Sequence, residues 1–503
     1  MRSISTLLSA GLVSGLALLT ACSDASPTAP DERAASPIPP SDPPAASAPA
    51  VGEVRRSTPE GGAGTVRLAF EVGSEVYLLA FESAAASAAP FDLSLDAAVP
   101  ANASRAPLGG AGTGPHPEAE ILEIGYDLLD RHGAAAPHRR ALAPATATRT
   151  FWVLDNQASR WVERPARLAY EGVHSLVYVD VEVPAGDFPT DAARDLGQSF
   201  DRSVYDRIRG VFGEESDLDG NGKVVVLLTP IVNAQTSPKG RVYGFFMPGD
   251  LADFQYGNGG EIFYLLAPDP SGRFGPATPT ADGMRDPLVA VAAHEFVHMI
   301  SANQRRLARR LPTQAYWLEE GLAHFGELVV DRLSAGNILG FLSEGTTGIS
   351  LVGSDVLTRG ASTLFVVRLD ERFGRGVVGR LVSGQGVGTA TVETVTGEAF
   401  GESFHDWSVA LHNELYPVAG ISQTFGTLDL EALYRDRLGS PQATNALGRV
   451  GARVPAEGSK HAVPMLGGTV AYVVVRSERS GALDLGYRAP TSADLQVAAI
   501  RIR

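Results

Sequence analysis

The residues best equipped for chemistry in this 503-residue chain are two histidines four positions apart, with an acid beside the first. They are His294, Glu295 and His298, within VAAHEFVHMI at 291–300. On a helix, positions i and i+4 share a face, so both imidazoles can grip one metal ion. Glu295, turned away by about 100°, can reach a water on that ion without ligating it. A bound Zn²⁺ lowers the pKa of its water towards about 7, so that a glutamate can take the proton. This is the chemistry of metal-assisted hydrolysis, and it needs three protein ligands and one open position.

The surrounding sequence reads as a buried helix. Asp286 is the expected N-cap and Pro287 the first helical residue. The run LVAVAAHEFVHMISANQ is largely apolar, Arg305, Arg306, Arg309 and Arg310 complement the dipole in its last turns, and Pro312 stops it. A third histidine six residues on, with a glycine between, is excluded because those positions are Gln304 and Ser301. A second amphipathic helix follows, AYWLEEGLAHFGELVVDRL, striped by Leu318, Leu322, Phe325 and Val329. It carries the adjacent acids Glu319 and Glu320, and neighbours on a helix diverge by about 100°, so only one can face the metal.

The stretch WLEEGLAHFGE resembles the W-L-x-E-G-x-A signature of gluzincin peptidases. The resemblance implies that Glu320 is the third zinc ligand and that Glu319, where an asparagine is usual, faces solvent or the neighbouring helix. It also implies that Glu327 orients His294 or His298. The aminopeptidase motif G-x-M-E-N is absent, and the His298–Glu320 connection is longer than in that branch, which argues against exopeptidase action. The chain is more similar to the hyicolysin-type bacterial metallopeptidases. The matching features are HEFVHMI followed by WLEEGLA, SDLDGNGKVVVLL and GGEIFYLL upstream, and TGEAFGESFHDW at 396–407. The likeness covers about 165–415 and implies Zn²⁺, a protein or peptide substrate, and EIFYLLA as the edge strand that a substrate extends. In relatives a Tyr-Gly opens the helix near 359. Here Arg359 stands in that place, and Arg359, His324, Tyr316 and His405 are all open as the oxyanion-stabilising residue.

Elsewhere the chain supplies context. Residues 1–22 combine Arg2, an apolar run and Leu19-Thr20-Ala21-Cys22, a signal peptide whose ending resembles a bacterial lipobox. The single cysteine, Cys22, is then the lipid attachment point and no intrachain disulfide is possible. Ser23 in place of Asp implies outer-membrane sorting, so the expected location is the extracytoplasmic face of a bacterial envelope. Residues 23–62 are a Pro/Ala-rich tether. A net charge of -15 argues against nucleic-acid binding, and oligomeric state is not legible.

The expected fold class is α+β. A zincin-like catalytic domain at 161–420, with a mixed sheet, the metal-binding helix and a helical subdomain, is flanked by β-rich modules at 63–160 and 421–503. Asp217, Asp219 and Asn221 in DLDGNGK match the first half of a calcium loop, but the twelfth position is Leu228 rather than Glu, and a tight turn accounts for the same residues. His116, His132 and His138 read as solvated loop residues, while His174, His412 and His461 have no partner pattern. The functional expectation is a zinc-dependent endopeptidase working through a Glu295-activated zinc-bound water. The alternative is a catalytically silent binding or adhesion lipoprotein of the same fold.

Overall fold

A computed structural model describes residues 48–71, 74–99, 116–135, 146–237, 240–454 and 459–503. The signal segment with Cys22, the tether as far as residue 47, and His138 lie outside the described residues. The described part is mixed helix and sheet, compatible with α+β. Within it, no helix is long and apolar enough to cross a membrane.

A six-stranded sheet underlies the helix that carries His294 and His298. Its order is 244–246, 262–265, 224–228, 175–180, 160–171, 148–155. Ser175–Asp180, Val224–Leu228 and Ile262–Leu265 run parallel at its centre and are buried throughout. That is why they read as unbroken apolar runs rather than alternating ones. Two expectations are corrected here. RTFWVLD, placed in an N-terminal domain ending at 160, pairs antiparallel with 160–171 and belongs to this sheet. EIFYLLA is interior, because Gly244–Phe246 pairs antiparallel with its outer side and forms the edge. Three residues, GFF, are too few to show a strand period in sequence.

The helix carrying His294 spans Ala281–Ser301. It starts five residues before the expected cap: the Thr280 hydroxyl accepts from the Gly283 amide at 3.5 Å, and Pro287 lies inside. The bond that Pro287 cannot donate would have gone to the Gly283 carbonyl, and both residues are exposed, so water can replace it. Past Ser301 the helix loosens into a π turn, Ala302–Leu307. Arg305 is buried there, donating to the carbonyl oxygens of Pro312, Val382, Gly384 and Gly386 at 2.8–3.2 Å. It ties the connection to neighbouring loops instead of merely complementing a dipole.

The two terminal β modules are not separate bodies. One sheet has the order 54–57, 495–501, 76–83, 470–477, 450–454; a second has 461–466, 90–95, 481–488, 63–70. Each sheet takes strands from both ends of the chain, and one of them, Val54–Ser57, comes from the segment expected to be tether. The sheets face each other across Phe70, Leu79, Phe81, Leu93, Met465, Val473 and Leu485. Val76–Ser83 is buried at every position, because its other face packs on helix Phe400–Leu415. There the buried Glu82 accepts from the Ser408 hydroxyl and pairs with His405 Nδ1 at 3.0 Å.

His412, on the same helix, lies against the rings of Tyr416 and Tyr472. Burial, with Arg449 adding to it, pushes this imidazole down to about 3. An unfolded chain takes up the proton near 6.5, whereas the folded one does not, so stability present above 6.5 is lost as pH falls towards 3. Between pH 7 and pH 5 this group removes about 2 kcal/mol of stability. His412→Phe should narrow the difference between urea unfolding free energies at those two pH values by about that amount.

Candidate metal centre

Helix 281–301 packs against helix Tyr316–Val329, which in turn lies on helix Thr358–Phe373. The contact explains the glycine after Glu320. A Cβ on Gly321 would meet the Ser362 carbonyl oxygen at 2.8 Å, so only glycine lets the helices approach this closely. On its other side helix 316–329 sets Glu320 opposite His294 and His298. Their Nε2 atoms are 3.2 Å apart, with Glu320 Oε2 3.6 Å from the first and Oε1 3.9 Å from the second. A fourth donor comes from Glu118, at the start of helix Pro117–His132, whose Oε1 lies 3.5 and 3.8 Å from the two nitrogens. One donor atom from each of these four buried residues lies within 4.8 Å of the others.

Each imidazole is oriented from behind. His294 Nδ1 meets Glu327 Oε1 at 3.1 Å, and His298 Nδ1 meets Glu319 Oε1 at 3.3 Å. Burial raises the Glu327 carboxyl, but His324 and His294 outweigh it and hold the group at about 2. Ionised, it can only accept, so His294 Nδ1 carries a proton and Nε2 is the nitrogen left to bind a metal. The same pairing at Glu319 turns the His298 lone pair inward. Glu319 also accepts from the Ser301 hydroxyl at 2.9 Å, so it faces the neighbouring helix rather than solvent.

Two Nε2 atoms facing each other at 3.2 Å need a proton or a metal cation between them, because two bare lone pairs there would repel. The same need is written in the carboxylates. Among the described residues, both Glu320 oxygens and Glu118 Oε1 are buried without a hydrogen-bond partner, Arg359 standing 3.2 Å from Glu320 Oε2. Burial works against protonation of His294, yet Glu118, Glu320 and Glu327 drive its pKa well above the ordinary value. Two imidazoles and a carboxylate converging in this way fit a zinc-type ion. Glu295, next to His294, is buried with Oε2 unpartnered, and burial followed by Glu118 pushes its carboxyl well up.

The structure therefore brings together His294, His298 and Glu320, with Glu295 beside them and Glu327 behind. Sequence reasoning missed Glu118, His116 and the role of Glu319. His116, read as solvated, is buried; its Nδ1 accepts from Arg359 at 3.3 Å, and burial with Arg359 lowers it to about 4. Nothing local to Glu118 marked it, since it lies far upstream of the histidines. Among the oxyanion candidates, Tyr316 and Arg359 form one unit: Arg359 donates to the Tyr316 hydroxyl at 2.9–3.0 Å, and besides His116 it meets Glu118 and Glu320 at 3.0 and 3.2 Å. His324 is held by Glu327 at 2.7 Å. His405, paired with Glu82, belongs to the sandwich contact instead. A cleft opens in front of the centre, lined by Tyr243, Gly244, Val291, His294, Glu295 and Arg359.

No family model matches the chain. Over 181 residues it is 29% identical to the neutral metalloprotease ShpI of Staphylococcus hyicus, a match covering 36% of this chain and 39% of that protein. The chain thus aligns with well under half of that relative's length, and the likeness supports kinship with metal-dependent peptidases at the coarse level.

The close helix contact at Gly321 is directly testable. Gly321→Ala should weaken zinc binding in a chelator competition and destabilise the fold by about 1–3 kcal/mol in urea, because the helix must shift to admit the methyl group.

Proposed function

We propose that this chain is a zinc-dependent endopeptidase of gluzincin type, with a zincin-like catalytic region that takes in strand 148–155 and runs to about 420. We further propose that it is held on a bacterial envelope, outer membrane included, through lipidated Cys22. The observation that carries the enzymatic reading is the inward turn of two histidine lone pairs opposite Glu320, with the unpartnered Glu295 carboxylate alongside and a cleft in front. His294, His298 and Glu320 would hold the ion. When bound, zinc polarises a carbonyl and acidifies a coordinated water. Glu295 is placed to take a proton on its carboxylate and to return it to a leaving amine. Its buried position keeps bulk water from competing for that proton. Tyr243 and Gly244 line the cleft beside the edge strand 244–246, where an extended peptide can add as one more strand. That geometry grips main chain rather than a terminus and so favours cleavage within a polypeptide.

One observation favours the silent reading, a binding or adhesion lipoprotein. Glu118 stands at the corner that an attacking water needs, and four protein donors close a zinc site. For turnover its carboxylate must withdraw, and Arg359, 3.0 Å from Oε2, is placed to hold it aside.

Glu295→Gln should retain one zinc per chain while losing about 10²–10⁴-fold in cleavage of a quenched peptide library, whereas Glu320→Gln should lose metal and cleavage together. Absence of chelator-sensitive cleavage in both native protein and Glu118→Ala, with zinc still bound, would leave the silent reading standing.

A further inference from the structure

The DLDGNGK loop offered half of a cation site in sequence and lacked the acid that closes it. The folded chain supplies that acid from another segment. Glu261, immediately before strand 262–265, is 2% exposed. Its Oε1 accepts from the Ser216 hydroxyl at 2.6 Å and from the Leu218 amide at 3.0 Å, the residues on either side of Asp217. Its Oε2 is buried and has no hydrogen-bond partner. One carboxylate oxygen each from Asp217, Asp219 and Glu261 lies within 4.8 Å of the others.

Nothing cationic among the described residues pairs with these three. Lys223, the nearest basic residue in sequence, goes to Glu171 at 2.8 Å, and Arg149 donates to the Asn258 carbonyl at 3.1 Å. Asp219, 5% exposed, takes only the neutral amides of Asn221. Burial pushes Asp219 up to about 6, outweighing a downward pull from Arg149, and pushes Glu261 up to about 7. A tight turn explains the loop but not an orphaned carboxylate oxygen delivered to it from a different strand.

We propose that Asp217, Asp219 and Glu261 bind a hard divalent cation, calcium, which clips the 216–223 loop to the start of strand 262–265. The donors are all oxygens, which excludes a zinc-type preference, and Asp217 is exposed enough to admit the waters that complete calcium's six to eight ligands. The ion would join the entry points of strands 224–228 and 262–265, neighbours in the sheet beneath the metal-binding helix. This site is independent of the zinc centre and of the peptidase reading.

The test is calorimetric titration of the zinc-loaded full chain with calcium chloride, together with thermal unfolding in calcium, in magnesium and in neither. One calcium per chain should bind with Kd on the order of 10⁻⁴ M, and 10 mM calcium should raise the unfolding midpoint by about 3 °C, magnesium by less. Asp217→Asn, at an exposed position, and Glu261→Gln, which keeps an acceptor for Ser216 and Leu218, should each weaken calcium binding about tenfold or more. Both should retain zinc, and Glu261→Gln should unfold no earlier than native protein when calcium is absent. No calcium binding by native protein, or a calcium response preserved in both variants, overturns the proposal. So does a Glu261→Gln variant that is destabilised without calcium yet still responds to it, because the acid then serves only the turn.

Discussion

Concentrated negative charge without water is the constraint around which the metal centre is organised. Glu118, Glu295, Glu319, Glu320 and Glu327 are all buried near two imidazoles, and Arg359 is the strong cation among them. Desolvating carboxylates is expensive unless each finds a proton, a hydrogen-bond donor or a positive charge. Glu319 and Glu327 are satisfied by the backs of the histidines, and that satisfaction sets the tautomer that leaves both Nε2 atoms open. Glu320 and Glu118 keep oxygens with no hydrogen-bond partner among the described residues, and Arg359, 3.2 Å from Glu320 Oε2, offsets only part of their charge. The orphaned atoms and the facing lone pairs describe the same missing charge from two sides.

That balance survives only if the helices are held at a fixed spacing. The missing side chain at Gly321 sets it on one side, and the Arg305 clamp on four backbone carbonyls fixes the connection between the two helices on the other. Both features lie outside the ligand set. Backbone packing thus determines whether Glu320 reaches the histidines.

The legible part of the site was the part encoded by helical spacing. His294 and His298 at i and i+4, and the limit of one ligand from the Glu319–Glu320 pair, follow from one dihedral repeat, while the choice of Glu320 rested on the resemblance of WLEEGLA to the gluzincin signature. Glu118 and His116 arrive from a separate helix, and no periodicity links them to the histidines. Pro287 misled because proline marks a first turn on average, yet an exposed helix tolerates it further in. The two β modules were visible as strands, but their interleaving into shared sheets is a property of non-local pairing, which alternation cannot report. Glu261 illustrates the same limit: the calcium-loop pattern counts residues along the chain, whereas the acid that fills the gap is adjacent only in space.

The interlaced sandwich has a consequence for biogenesis. Strand 495–501 lies between 54–57 and 76–83, so two strands made early wait for one made much later. Such high contact order slows closure and leaves sheet edges bare in the meantime. The helical layer resting on 76–83 inherits that delay, so its seating is coupled to a strand far downstream in sequence.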